Sequence, residues 1–346
     1  MKWRPARMAG TTHDYAPSCF HSPANGFLEA GFWKQKIDAL PSVQDQHPID
    51  ATDNDWAAAV MDWSEILTQS EAEFTQEVLA YLESVPWAGA LVQEIGRRGG
   101  LSYKNKPLLF EARVAYALAQ AAITAVEYEY CAEVGASRVD FRLGGQPEWL
   151  VEVVSIGRSD AVNEATFHSG PYFGTTLSSP NASQSMEERR RSEEGEALLV
   201  VQKIGEKLHD GTAPIKFPVP SSGKYHVVVV DMRGHLGGGD IMDWRQIAYG
   251  AESVPLEYRK HWLDKNNQQI PLRGVWHPDN LMRSAATARE RLHAIMFVAE
   301  EHYVNGGLSQ GAWIACNPHL FADEAAARGV LNSFPLWRPT KEFEGT

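Results

Sequence analysis

Segments with helical and strand patterns alternate along the middle of the chain, and this order predicts an α/β fold. Residues 139–143 (VDFRL) and 149–156 (WLVEVVSI) are rich in β-branched and apolar residues. Gly144-Gly145-Gln146-Pro147 joins them with the chemistry of a hairpin turn. The continuous apolar run at 227–230 predicts a central strand that is buried on both faces. A helical pattern precedes the hairpin, and another separates it from the central strand.

Two amphipathic patterns predict a mainly helical N-terminal extension over residues 1–100. Residues 53–55 (DND) supply an N-cap for a helix that runs from 56 to about 67. A second helix is expected from Ser70 to about Ser84, because its apolar residues recur at helical spacing. Residues 1–50 have no clear period and are expected to form an irregular lead-in.

The predicted core spans residues 101–235, with its elements in the order helix, strands, helix, strand. Its first helix is Ala-rich and runs from 108 to about 124, and a further strand at 125–130 precedes the hairpin. Residues 157–186 are rich in Ser, Gly, Thr, Asn and Pro. They predict a loop of about 30 residues, a length that is usually functional or mobile. A helix then runs from 187 to about 208.

Residues 236–346 are expected to elaborate this core with more α/β structure. Residues 270–276 and 292–298 have the composition of two further strands. The glycine run at 237–239 lacks the spacing of a nucleotide-binding loop and predicts a plain turn. We find neither an internal repeat nor a heptad pattern.

The composition bounds the class of protein. With 346 residues, 44% of them hydrophobic and 22% charged, the chain is typical of globular proteins. Its three cysteines form no CxxC pair, which argues against a disulfide framework and favours a reducing cytoplasm. The basic start is not followed by an apolar segment, so no secretory signal is expected, and no run has the length of a membrane span. The net charge of −12 argues against coating nucleic acid through a basic face.

Each strand of the predicted hairpin carries one carboxylate. Asp140 lies near the start of the first strand and Glu152 lies early in the second. A buried carboxylate is costly unless its charge is compensated, and a divalent metal is one common compensation. Two carboxylates on adjacent strands can converge on one Mg²⁺, which prefers oxygen ligands. The pattern therefore predicts metal-assisted phosphoryl chemistry.

This order of elements and acids resembles the core of the PD-(D/E)XK nuclease superfamily, the restriction-endonuclease-like proteins. The resemblance covers about residues 105–232 and implies a mixed sheet in an αβββαβ core. It implies that Asp140 and Glu152 hold one or two Mg²⁺ (or Mn²⁺) ions at a scissile phosphodiester. Glu111, on the first core helix, would be the helical acid that some of these families add.

The chain departs from the family pattern at the motif lysine. Val154 stands two residues after the second acid, where the family has a lysine that neutralises developing charge or positions the attacking water. In some branches the following helix supplies this lysine instead. Lys203 and Lys207 lie at i and i+4 on one face of that helix here, and Lys207 is the first candidate. Without either lysine, the site would be weakened or inactive.

Each candidate also has a purely structural interpretation. Glu152 could be a chance acid that is solvated, since Val151 and Val153 face the other side of the strand. Asp140 lies between Arg138 and Arg142 and could belong to a surface strand of alternating charge. Glu111 could be one of the exposed glutamates that helices routinely carry, and the two helical lysines could form a solvated face. The joint arrangement in this order is far rarer by chance than any one member.

The sequence therefore predicts a metal-dependent nuclease that hydrolyses phosphodiester bonds, with DNA expected before RNA as its partner. The resemblance implies a setting in restriction or defence. A first alternative is a catalytically degenerate core that binds nucleic acid or protein, which Val154 favours. A second is a hydrolase or binding protein for a small ligand, with residues 157–186 as a lid. No membrane partner is expected, and association with a second copy of the chain or with another protein stays open.

Overall fold

A computed structural model describes ten parts of the chain, namely residues 69–101, 105–157, 159, 166–169, 172–175, 193–235, 238–255, 272–299, 308 and 312–337. The predicted lead-in at 1–50, the predicted helix at 56–67 and the predicted helix start at 187 lie outside the described residues.

Seven α-helices and eight strands lie in the described parts of the chain. The helices are α1 (Gln69–Glu83), α2 (Gly89–Arg97), α3 (Lys106–Gln120), α4 (Glu193–Leu208), α5 (Ile241–Tyr249), α6 (Arg283–Arg291) and α7 (Glu324–Leu331). The strands are β1 (Val126–Tyr130), β2 (Val139–Leu143), β3 (Glu148–Ser155), β4 (Thr166–Ser169), β5 (Tyr172–Thr175), β6 (Lys224–Asp231), β7 (Ala294–Val298) and β8 (Ala312–Cys316).

Six of these strands form one open mixed sheet in the order β1-β2-β3-β6-β7-β8. β1, β2 and β3 pair antiparallel, β3, β6 and β7 run parallel, and β8 returns antiparallel to β7. The predicted central strand is confirmed, because β6 pairs on both sides and Val227–Val230 are fully buried. Helices accompany this mixed sheet on both faces, so the α/β class is confirmed.

The two faces of the sheet build two apolar cores. Apolar residues of α1, α2 and α3 pack on the face that carries Val151 and Val153. Apolar residues of α4 and α5 pack on the opposite face, which carries Leu150 and Val154. This alternation follows from the two-residue period of a strand, and it places successive β3 side chains under different helices. β7 and β8 contribute to both cores, so the segment after residue 236 continues the same sheet.

Three expectations about local structure need correction. The segment predicted as a loop contains the hairpin of β4 and β5, which pair antiparallel. The described part of the predicted strand at 270–276 is not a strand, because the Val275 and Trp276 amides donate to carbonyls at the end of α5. The first core helix ends at Gln120 rather than near 124, since Ala122 adopts a left-handed conformation with φ of 56°.

Candidate active site

The two predicted strand acids lie where β2 separates from β3. The β2–β3 ladder reaches the pair Phe141 and Val151, so Asp140 and Glu152 are the next positions along the two strands. Beyond that pair, the Val153 amide donates to Asp140 Oδ2 at 2.6 Å. The carboxylate thus takes up a β3 amide that the ladder leaves free. Asp140 is therefore held against the edge of β3, with only 6% of its surface exposed.

Glu152 faces the helix α4 side of the sheet. Its neighbours two positions away, Leu150 and Val154, belong to the apolar core beneath α4. The side chain of Glu152 is completely buried. A carboxylate in this setting requires a compensating charge or proton, because ionised groups lose their hydration in an apolar interior.

Two lysines from different elements supply that compensation. Lys207, in the last turn of α4, places Nζ 2.8 Å from Glu152 Oε1. Lys216, in the loop between α4 and β6, places Nζ 2.5 Å from the same oxygen. The ammonium of Lys216 is more buried, with 14% of the side chain exposed against 31% for Lys207. Glu152 is thus approached from the end of a helix and from the loop that follows it.

The backbone of Lys216 adopts a left-handed conformation, with φ of 67°. This region costs a residue with a side chain about 1–2 kcal/mol and persists only where the surroundings enforce it. Here the loop is tied on both sides of Lys216: the Ile215 amide donates to Leu208, and Arg291 Nη1 donates to the Phe217 carbonyl at 2.8 Å. The unusual conformation therefore delivers one ammonium group to one buried acid.

Glu111 brings a third carboxylate to the cluster from α3. Its Oε2 accepts a hydrogen bond from the Tyr128 hydroxyl of β1 at 3.0 Å. Burial, reinforced by the charge of Glu152, raises the pKa of Glu111 to about 7, although Tyr128 and Lys207 act in the opposite direction. Glu111 is therefore poised to exchange a proton near neutral pH.

Burial and neighbouring charges also shift the pKa values of Asp140 and Lys207. Burial raises the pKa of Asp140 well above its ordinary value, and the nearby charges of Glu152 and Glu111 raise it further. Burial alone would lower the pKa of Lys207, but the attraction of Glu152 and Asp140 outweighs it and leaves the pKa raised. The cluster thus favours a charged lysine among carboxylates that resist being ionised together.

Lys203 does not join the cluster, and its assignment as a candidate needs correction. Its Nζ donates to Glu206 Oε2 at 2.9 Å, and 47% of its side chain is exposed. A separation of four residues also places it about 6 Å further back along the helix axis than Lys207. Of the five residues predicted from the sequence, the structure brings together Glu111, Asp140, Glu152 and Lys207.

The carboxylates of the cluster are too few for an all-protein metal cage. Within the described ranges, no group of three or more His, Cys, Asp or Glu side chains is arranged to hold a metal ion. Mg²⁺, however, is usually held by one or two carboxylates, with waters and substrate phosphates completing its shell. Glu152 Oε2 is buried without a hydrogen-bond partner among the described residues, next to Asp140. These two carboxylates fit such a two-ligand site.

A further buried carboxylate, on β6, has different surroundings. Asp231 ends β6 and is 2% exposed. Its Oδ2 accepts from the Ser155 hydroxyl at 2.9 Å, and its Oδ1 accepts from the backbone amide and the Nε of Arg233 at 3.1 and 3.2 Å. Both of its oxygens therefore have partners from neighbouring residues.

Sequence reasoning missed two members of the cluster, Lys216 and Tyr128. Lys216 lies in a proline-containing loop where no periodicity assigns a side chain to a face. Tyr128 was placed correctly on a strand, but its hydroxyl meets Glu111 only through the packing of α3 against the sheet. Their one available signal was composition, a lysine and a tyrosine close in sequence to the predicted elements.

No protein-family model, curated protein or solved structure matches the chain. Among the helices that the structure describes, none has the length and apolar character required to cross a membrane.

Proposed function

We propose that this chain is a metal-dependent nuclease that hydrolyses phosphodiester bonds, with DNA expected before RNA. The observation that carries the proposal is the convergence of Glu111, Asp140, Glu152 and Lys207 from four separate elements in one buried cluster. Clusters of titratable groups with strongly perturbed pKa values are characteristic of functional sites. Carboxylates beside a lysine are the groups that phosphodiester hydrolysis with a metal-activated water requires.

The order of elements supports a restriction-endonuclease-like assignment of the fold. Within the described residues, α3, β1, β2, β3, α4 and β6 follow one another as in the αβββαβ core of the PD-(D/E)XK superfamily, with the β4–β5 hairpin inserted. Asp140 on β2, Glu152 on β3 and Glu111 on α3 are the acids that this resemblance would use. A role in restriction or defence is part of the same proposal and rests on the resemblance alone.

Each residue of the cluster would have a separate role in the proposed reaction. Asp140 and Glu152 would hold Mg²⁺ (or Mn²⁺), which when bound lowers the pKa of a water and polarises a phosphate oxygen. Lys207 carries a positive charge against these acids and would stabilise negative charge that develops on the phosphate. Glu111, whose pKa is raised to about 7, would accept or return a proton, and the Tyr128 hydroxyl orients it.

Lys216 has a supporting role in this proposal. Removing a carboxylate from water without a partner is strongly unfavourable, so a second ammonium beside Glu152 Oε1 helps to compensate the burial of that acid inside the sheet. Because both lysines approach Oε1, the partnerless Oε2 stays available to a cation. Val154 then needs no charge of its own, since two residues from outside β3 provide it.

A catalytically degenerate core that binds nucleic acid or protein is the competing proposal. The observation that favours it is the same pair of lysines, because two ammonium groups compensate Glu152 without any metal. The net charge of −12 makes protein the better partner of the two. The two proposals differ in whether the cluster binds a divalent cation and hydrolyses a phosphodiester.

Cation binding and cleavage decide between them. Isothermal calorimetry with Mn²⁺ should give binding to the wild type that Asp140→Ala abolishes, and the wild type should cleave linear DNA, circular DNA or RNA when Mg²⁺ or Mn²⁺ is added. Lys203→Ala serves as a control, since that side chain is half-exposed and pairs with Glu206. A wild type that neither binds Mn²⁺ nor cleaves any of these substrates would favour the degenerate core.

A further inference from the structure

A cleft of about 590 Å³ lies where the last turn of α6 meets two surface segments. Arg289, Glu290 and Arg291 line it from α6, and Val219 and His319 line it from the segments on either side. Val219 is unusually exposed for an apolar residue, with 70% of its surface accessible. The cleft is thus open to solvent, and its main charged groups are two guanidinium groups.

Both arginines are oriented by backbone carbonyls. Arg289 Nη1 donates to the carbonyls of His277 at 2.8 Å and Asn280 at 3.2 Å. Arg291 Nη1 donates to the Phe217 carbonyl at 2.8 Å, while its buried Nε has no partner among the described residues. These bonds fix where the guanidinium groups lie without neutralising their charge.

Neither guanidinium group forms an ion pair with a carboxylate of the described residues. Several other arginines do: Arg97 pairs with Glu94, Arg142 with Glu148, and Arg328 with Glu324. Glu290 lies between the two arginines in sequence, but it is exposed and forms no ion pair with them. In a chain with a net charge of −12, two fixed cations without an ion-pair partner among the described residues favour an anion as the ligand of this cleft.

The geometry of the guanidinium group indicates which class of anion fits the cleft. Its planar set of donors matches the oxygens of phosphate, and arginine is preferred over lysine wherever such recognition matters. Donors that remain unused after the carbonyl bonds are available to such a group. A phosphate diester is therefore a fitting ligand.

The cleft is connected to the Glu152 cluster through consecutive residues. Lys216 donates to Glu152 on one side, and the carbonyl of the next residue, Phe217, accepts from Arg291 on the other. Adjacent Cα atoms are about 3.8 Å apart, so one short segment of the loop contacts both sites. A polymer with repeating phosphates could contact both.

We propose that Arg289 and Arg291 form a subsite for a backbone phosphate of a nucleic acid, away from the phosphate that is cleaved. This inference rests on the proposed function, because it takes nucleic acid as the ligand of the Glu152 cluster. It adds a contact that positions the strand and carries no sequence information, as phosphate contacts generally do.

The test is DNA binding measured by fluorescence anisotropy, in EDTA and over a range of salt concentrations. Arg289→Gln should weaken binding about tenfold and make the slope of log K against log salt shallower by about 0.9, the loss of one phosphate contact. Glu290→Gln removes an exposed negative charge from the cleft and should tighten binding about two- to fivefold. Arg328→Gln, on the exposed surface of α7, should bind as the wild type does.

The Glu290 variant guards against a trivial result, because Arg289→Gln also removes two carbonyl bonds and could loosen the local fold. Tighter binding by Glu290→Gln cannot come from unfolding. If DNA binds and both cleft variants match the wild type in affinity and salt slope, the inference is overturned while the nuclease proposal stands. A wild type that does not bind DNA also overturns it. If the cleft variants change DNA affinity as expected but the wild type does not cleave DNA in Mg²⁺ or Mn²⁺, the nuclease proposal is contradicted and the phosphate subsite is not.

Discussion

Two buried carboxylates on the adjacent parallel strands β3 and β6 are compensated in opposite ways. Asp231 receives its hydrogen bonds from Arg233, two residues further along the chain, and from Ser155 on the neighbouring strand. Glu152 receives its two ammonium groups from Lys207 and Lys216, which lie more than fifty residues away, and it keeps one buried oxygen without a described partner.

The difference separates a structural acid from a functional candidate. The surroundings of Asp231 satisfy both of its oxygens, which is what stability requires of a buried polar group. Glu152 lies beside Asp140 and Glu111, and burial together with like charge raises the pKa of both of these neighbours. A fold that retains such a costly cluster is expected to use it, whereas a locally satisfied pair needs no further explanation.

The largest expected effect contrasts the two acids directly. Glu152→Gln should reduce phosphodiester cleavage by more than about 10³-fold, because several kcal/mol of metal-dependent charge stabilisation is lost. Asp231→Asn should instead lower the free energy of unfolding by about 1–3 kcal/mol and leave the rate per folded molecule near that of the wild type. Urea unfolding and cleavage of DNA in Mg²⁺ measure the two effects. A comparable loss of activity in Asp231→Asn would erase the distinction.

The second effect distinguishes two lysines on one helix. Lys207→Ala should slow cleavage by about 10²–10³-fold and leave Mn²⁺ binding intact, since it removes one charge-stabilising donor and no metal ligand. Lys203→Ala should cleave like the wild type, because that side chain is exposed and, among the described residues, pairs with Glu206. Single-turnover rates and calorimetry on both variants provide the measurement. Equal rates for the two variants would remove Lys207 from the chemical step.

The third effect concerns the left-handed Lys216. Lys216→Met should cost about 1–3 kcal/mol of stability in the wild type, because it removes one partner of a buried acid. In the Glu152→Gln background the same change should cost at least about 1 kcal/mol less, since the charge it served is gone. Denaturant unfolding of the four proteins in the cycle gives the coupling. Additive costs would mean that the loop conformation has another cause.

The smallest effect is a pH dependence of stability at Glu111. Its raised pKa means that the folded state binds the proton more tightly, so the stabilisation is complete below about pH 4.5 and is lost as the pH rises through about 7. Gln imitates the protonated form and can still accept from Tyr128. Glu111→Gln should therefore match the wild type near pH 4.5 and exceed it by about 1–2 kcal/mol at pH 8. The full shift is not expected, because water and neighbouring side chains rearrange around the ionised carboxylate of the wild type and reduce the cost of its charge. A gap that does not widen with pH would contradict the assignment.

Features that depend on residues close together in the sequence were predictable. The apolar run of β6 and the hairpin of β2 and β3 follow from composition and turn chemistry, and they place Asp140 beside Glu152 by strand register alone. Lys207 was accessible because a helix of known direction follows the hairpin. Each of these inferences rests on a regular pattern of residues that are close together in the sequence.

Features decided by tertiary contacts were not predictable. Lys216 meets Glu152 because the loop around it is tied to α4 and to Arg291, and no spacing rule describes that path. The hairpin of β4 and β5 lies in a segment whose composition indicates a loop. Residues 272–276 have strand composition, yet their amides bond to α5 instead of a strand. The same limit separates Lys203 from Lys207, since only the packing of α4 decides which of them reaches the sheet.

The distribution of the cluster along the chain also orders its appearance during synthesis. The ribosome delivers Glu111, Asp140 and Glu152 first, and it delivers Lys207 and Lys216 only 55 and 64 residues after Glu152. At about 5–20 residues per second, the acids are exposed for several seconds before either ammonium group exists. A nascent chain in that interval lacks both ammonium partners of Glu152, so burying this acid would carry its full desolvation cost. The proposed site is therefore incomplete in every chain that ends before these two lysines.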